Sequence, residues 1–69
     1  MTGVWKPVEV QMPPEGVRCL IVERIPGEPK VQFGQWHGDR WRSFEPPGET
    51  WLHPSMVSHW MPLPPLPTE

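Results

Sequence analysis

Sixty-nine residues can make one small domain, and a chain of that length buries only about 60% of the surface its unfolded form exposes. Its single cysteine excludes an internal disulfide and suits a reducing compartment, and its formal net charge of −2 lacks the basic excess of a typical nucleic-acid binder. No apolar run approaches the roughly 18 residues of a membrane span and the N-terminus has no secretory-signal pattern, so a soluble protein of the cytoplasm is expected.

A core this small must be unusually dense. Five tryptophans and two phenylalanines can supply that, each burying roughly 150–250 Å², while twelve prolines reduce the freedom of the unfolded chain. Residues 1–12 read as an N-terminal arm. Within it Trp5 is a packing anchor, and Val8-Glu9-Val10-Gln11 alternates as a short strand or extended segment does. Pro13-Pro14-Glu15-Gly16 predicts a turn with Pro14 at its first central position. Val17 to Arg24 is the clearest strand, with Val17, Cys19 and Ile21 on one face and Arg18, Leu20, Val22 and Arg24 on the other. Because Cys19-Leu20-Ile21-Val22 is apolar on both faces, a central strand covered on each side is expected. Ile25-Pro26-Gly27-Glu28-Pro29 cannot hold a ladder and reads as a hairpin loop.

Lys30 to Trp36 and Arg40 to Phe44 are the next strands, making 17–44 a three-stranded meander. A two-residue type II′ turn at Gly38-Asp39 sets His37 opposite Arg40, Trp36 opposite Trp41, Gln35 opposite Arg42, Gly34 opposite Ser43 and Phe33 opposite Phe44. Two aromatic cross-strand pairs on alternate faces, each worth up to about 1 kcal/mol, fix this register. Gly34 beside the Trp pair leaves a gap for another aromatic or a proline. Residues 45–56 read as an irregular loop, with Pro47-Gly48 at the centre of a type II turn and Trp51-Leu52 either tucked beneath it or forming an exposed tip. Val57 to Met61 is the last strand, and 57–69 continues into Pro62-Leu63-Pro64-Pro65-Leu66-Pro67. The whole chain, 1–69, reads as a single all-β domain. It is a small antiparallel meander of four to five short strands, with a Trp-rich core and a C-terminal polyproline tail packed back on it.

Chemistry-bearing patterns are sparse. There is no glycine-rich phosphate loop and no paired cysteines, and the spacing of Cys19, His37, His53 and His59 does not favour a zinc site. Cys19 lies mid-strand in an apolar run, where a thiol is inert core, and no carboxylate pair is singled out for acid–base work. No catalytic residue, metal or other cofactor is therefore expected. Arg18, Arg24, Arg40 and Arg42 lie near tryptophans, an arrangement that can hold single-stranded nucleic acid, but neighbouring acids favour a solvated face with weak ion pairs. The two PxxP frames of the tail could dock in an aromatic groove of another protein; without a basic flank they fit better as a lid on their own domain.

The chain resembles a family of uncharacterised small domains found mainly in bacteriophages and prophages. The resemblance is carried by Trp5, Pro13-Pro14-Glu15-Gly16, the strand Val17 to Val22, the hairpin Gly34-Gln35-Trp36-His37-Gly38-Asp39-Arg40-Trp41 and the ending Val57-Ser58-His59-Trp60-Met61-Pro62-Leu63-Pro64. The ending is its specific part; Leu66 between Pro65 and Pro67 and the proline-rich 45–56 stretch depart from the family pattern. The resemblance implies a phage or prophage accessory protein working in the bacterial host cytoplasm, and it carries no activity or cofactor with it. A module that binds a host or phage protein is the leading expectation, with His37, Asp39, Arg40, Trp51, Leu52 and His53 as contact residues. Trp36, Trp41, His59, Trp60, Pro62 and Pro64 are expected to be structural. The alternative is a single-stranded nucleic-acid binder using Arg40, Arg42 and an exposed tryptophan. Pairing of two copies through an open edge strand is a third possibility.

Overall fold

The computed structural model describes residues 4–44 and 48–63. They form six strands, β1 (Lys6–Pro7), β2 (Arg18–Glu23), β3 (Lys30–Trp36), β4 (Trp41–Ser43), β5 (Thr50–Leu52) and β6 (Val57–Pro62), with a 3-10 helix, Pro54–Met56, before the last. Every pairing is antiparallel, in one sheet ordered β1-β6-β2-β3-β4-β5. The small antiparallel all-β domain read from the sequence is the fold, with six strands where four or five are expected.

Turn chemistry sets the central hairpins. In the β2–β3 loop the Glu28 N–H donates to the Ile25 carbonyl at 3.0 Å, with Pro26 and Gly27 between them and Gly27 at φ +81°, as a type II turn requires. The β3–β4 hairpin has the register read from the sequence, Trp36↔Trp41, Gln35↔Arg42 and Gly34↔Ser43. Its tip has Gly38 at φ +92°, and the His37 N–H donates to the Arg40 carbonyl at 2.9 Å. The Trp36 and Trp41 ring centroids lie 5.1 Å apart. The earlier turn sits one residue further on than expected: the Val17 N–H bonds the Pro14 carbonyl, which makes Glu15 and Gly16 the central pair.

Three stretches differ from the sequence reading. The alternating Val8–Gln11 segment is a turn, because the N–H groups of Val10 and Gln11 fold back onto the Pro7 carbonyl at 3.0 and 3.1 Å. The 45–56 stretch contains β5 and the 3-10 helix; β5 pairs with β4 as Trp41↔Leu52, Arg42↔Trp51 and Ser43↔Thr50. The gap beside Gly34, expected to take an aromatic or a proline, has Ile21 as its nearest neighbour, whose Cδ1 would lie 2.5 Å from a Cβ at that position.

The link from β5 to β6 forces the sheet to curl. Only His53 and the three-residue 3-10 helix separate Leu52 from Val57, and such a helix rises about 2 Å per residue. Across a flat sheet, β5 and β6 would stand four strand spacings apart, roughly 19 Å. The sheet therefore curls, and its inner face carries the core. Cys19, Ile21, Trp41, Val57 and Trp60 are buried there, with Val8, Met12, Trp36 and Leu52 packed against them. The N-terminal arm closes over this face. The Val8 N–H donates to the Ser58 carbonyl at 3.1 Å, and the Trp60 Nε1–H donates to the Gln11 carbonyl at 2.7 Å.

β6 lies inside the sheet, between β1 and β2. His59, Trp60 and Pro62 are thus strand residues, Trp60 buried and Pro62 paired with Cys19. Pro64, the rest of the polyproline tail and Pro47 of the expected turn lie outside the described residues.

Candidate functional site

Antiparallel partners point to the same side of a sheet, so the pairings define the outer face residue by residue. One cross-strand row reads Arg18, Gln35, Arg42, Trp51. The next reads Met61, Leu20, Phe33, and a third His59, Val22, Val31. Phe44 continues the second row: its N–H donates to the Phe33 carbonyl at 3.2 Å. The face is thus an apolar band bordered by an arginine-bearing row.

β3 inverts the usual alternation. Its polar Gln32 and its Gly34 face the core, Gln32 being only 5% exposed, while Val31 and Phe33 turn outward and remain 55% and 51% exposed. The inward glutamine is tolerated because its amide is satisfied. Its Nε2 donates to Glu23 Oε1 at 2.6 Å, and its Oε1 accepts from the Ser43 hydroxyl. Leu20 and Val22 on the outer face are half-buried, so β2 is fully covered only on its inner side, contrary to the expectation of cover on both.

Arginines and aromatics interleave on the outer face. The Arg18 guanidinium lies 4.2 Å from the Phe44 ring centroid, with that of Arg42 5.2 Å from the same ring. Arg40 and Arg42 stand 4.2 and 6.0 Å from the Trp51 centroid, and the His37 ring meets Trp51 edge-on at 5.1 Å. Arg42 also pairs with Glu49, while Arg40 lies 3.9 Å from Asp39. His37 is steadied by a 2.8 Å hydrogen bond between its Nε2 and Gln35 Oε1, and Gln35 Nε2 donates to the Gly16 carbonyl at 2.6 Å.

Of the expected contact residues, His37, Asp39, Arg40 and Trp51 come together at one end of this face, with Trp51 47% exposed. Leu52 points the other way, against the core. His53 is exposed but spends its ring on a cap: Nδ1 accepts from the Ser55 N–H at 3.1 Å at the start of the 3-10 helix. Val31, Phe33 and Phe44 belong to the face and are absent from the expected contact residues, while Arg18, singled out with the other arginines, belongs to it as well. The period-2 pattern of Lys30–Trp36 marks which residues share a face, and only the cover supplied by the arm decides which face is inside. Arg24 leaves the group, its Nε donating to the Ser55 carbonyl at 3.0 Å.

Among the described residues, no group of three His, Cys, Asp or Glu side chains is placed to hold a metal ion, and no helix is long and apolar enough to cross a membrane. Burial pushes the Cys19 thiol up to about 11. An open depression of about 430 Å³ lies at the β2–β3 loop end, between Glu23, Pro26, Pro29 and His59. Comparison with protein-family models, curated proteins and solved structures finds no match.

Proposed function

We propose that this is a non-enzymatic accessory protein of phage or prophage origin, acting in the bacterial cytoplasm as a protein-interaction module through its outer sheet face. The observation that carries the reading is the inversion in β3, where Val31 and Phe33 are turned to solvent while a glutamine is turned inward. Exposed apolar residues gathered on one face mark interaction sites. Tryptophan, phenylalanine and arginine, which meet in the ring contacts of this face, are enriched at protein contacts. The phage and cytoplasmic context is supported by the resemblance in the Val57–Pro64 ending.

The test is affinity capture from bacterial host lysate with the wild-type chain as bait, repeated with Phe33→Ser and with Trp51→Ala. A specific partner should be retained by the wild type and lost, or weakened at least about tenfold, with either variant. Equal capture by all three would sink the proposal.

A second reading is favoured by one specific observation, the placement of Arg40 and Arg42 around the half-exposed Trp51 ring. Cations beside a stacking aromatic suit a single-stranded nucleic acid. This reading predicts that oligo(dT) at low salt quenches tryptophan fluorescence and that Arg40→Ala with Arg42→Ala abolishes the quench. An unchanged signal removes it.

A further inference from the structure

We infer that the partner engages the edge of β5 with an extended acidic segment, which joins the sheet as an added antiparallel or parallel strand. The inference rests on the proposed protein-interaction reading and specifies the partner of that surface.

The two ends of the sheet differ. At one end β1 presents Lys6 and Pro7, and proline has no N–H to offer, so this edge is blunted against pairing. At the other, β5 is Thr50-Trp51-Leu52, with neither proline nor lysine, and among the described residues no strand pairs with its outer side.

The ladder pattern shows which backbone groups this edge offers. Antiparallel partners alternate between hydrogen-bonded and non-hydrogen-bonded pairs. His37 and Arg40 are a bonded pair, through the His37 N–H and the Arg40 carbonyl. Counting along β4, Trp36–Trp41 is then non-bonded and Gln35–Arg42 bonded, so the Arg42 backbone points at β3. Trp41 and Ser43 consequently point at β5 and bond Leu52 and Thr50, leaving Arg42–Trp51 as a non-bonded pair. The Trp51 N–H and carbonyl therefore point outward from the sheet, where an arriving strand could bond both.

Side chains set the chemistry of the occupant. A residue paired with Trp51 would put its side chain on the outer face, next to the Trp51 ring. The Arg40 guanidinium is already held over that ring at 4.2 Å, and its ion contact among the described residues is a long 3.9 Å approach to the neighbouring, exposed Asp39. Such a pair contributes little and is readily exchanged. A carboxylate beside Trp51 would give Arg40 a closer partner, whereas a second copy paired at Trp51 would bring another Arg40 to the same side, its Arg42 being already engaged by Glu49. The charge arrangement favours a foreign acidic strand over a second copy.

The experiment uses the full, ¹⁵N-labelled chain and a capped synthetic peptide alternating valine and glutamate. Saturating peptide should slow hydrogen exchange of the Trp51 amide by at least about tenfold. A peptide with lysine for glutamate, or with its backbone N-methylated on alternate residues, should not. Arg40→Glu, checked for unchanged near-ultraviolet circular dichroism, should lose the effect. Unchanged Trp51 exchange overturns the inference. If shifts then gather at Val31 and Phe33, the edge fails while the interaction face stands. Protection of Trp51 without peptide, with a dimer mass in solution, overturns the foreign strand in favour of a second copy, and protection by oligo(dT) alone overturns it in favour of nucleic acid.

Discussion

Gly34 sits opposite Cys19 in the β2–β3 ladder, and a Cβ built on it would lie 2.5 Å from Cδ1 and 2.9 Å from Cγ1 of Ile21. Ile21 is fully buried, so its side chain has little room to retreat. Gly34→Ala should cost about 1–3 kcal/mol, read as a lower urea midpoint at unchanged slope. Shortening the neighbour tests the cause. Ile21→Val alone should cost about 0.5–1.5 kcal/mol, yet in the Gly34→Ala background it should recover part of the loss by removing Cδ1. Strict additivity of the two would rule out the clash. Cys19, on the same inner face, makes a pH prediction. The unfolded thiol releases its proton near 9 and the buried one only near 11, so the unfolded chain holds fewer protons between those values. Cys19's contribution is complete below about pH 9 and declines as pH rises toward 11. The urea midpoint of the wild type should therefore fall more steeply over this range than that of Cys19→Ala, and alkylation of the native thiol at neutral pH should require unfolding.

At the scale of elements, the arm and β6 act as one unit. β1 pairs with β6, the Val8 N–H reaches Ser58, and the Trp60 indole reaches the Gln11 carbonyl. Trp60→Phe keeps the aromatic volume near the core but removes that indole donor, which should cost about 1–2 kcal/mol. Hydrogen exchange should rise more in residues 8–12 than in the β3–β4 hairpin, because only the arm loses an anchor. What the sequence makes legible follows from element length. β3 and its hairpin to β4 could be read to the residue, since a seven-residue alternation, a Gly-Asp tip and two aromatic pairs all demand one register. β1 and β5 have two and three residues, too few to show a period, and exist because β6 and β4 template them. Val8–Gln11 alternates and is still a turn, with Val10 80% exposed, because the Pro7 carbonyl collects its N–H groups. The site was half legible on the same grounds. The hairpin tip and Trp51 stand out as polar or irregular surroundings for an aromatic. Val31 does not, because its strand pattern is symmetric between inside and outside.

For the whole molecule, the sheet separates a buried inner face that holds the fold from an outer face whose Val31, Phe33 and Trp51 are exposed. β6 is an interior strand, contributing Val57 and Trp60 to the five buried core residues among those described. Ending the chain after Met56 should therefore abolish cooperative unfolding altogether, as judged by the near-ultraviolet signal and a melting curve. The outer face should behave in the opposite way. Val31, Phe33 and Trp51 are each about half exposed, so replacing each with threonine, which keeps β propensity, should cost about 1 kcal/mol or less per site. Ile21→Ala, by contrast, should cost about 2–5 kcal/mol, since its whole side chain is inside. The triple threonine variant should melt cooperatively and be more soluble, because an apolar band has been removed from its surface. It should also lose whatever partner the wild type captures. If it instead unfolds, the outer residues are a second core and the case for a contact face fails. If it folds and still binds, contact lies elsewhere on the molecule. Only a folded, non-binding triple variant is consistent with a domain whose inner face is spent on stability and whose outer face is left for a partner.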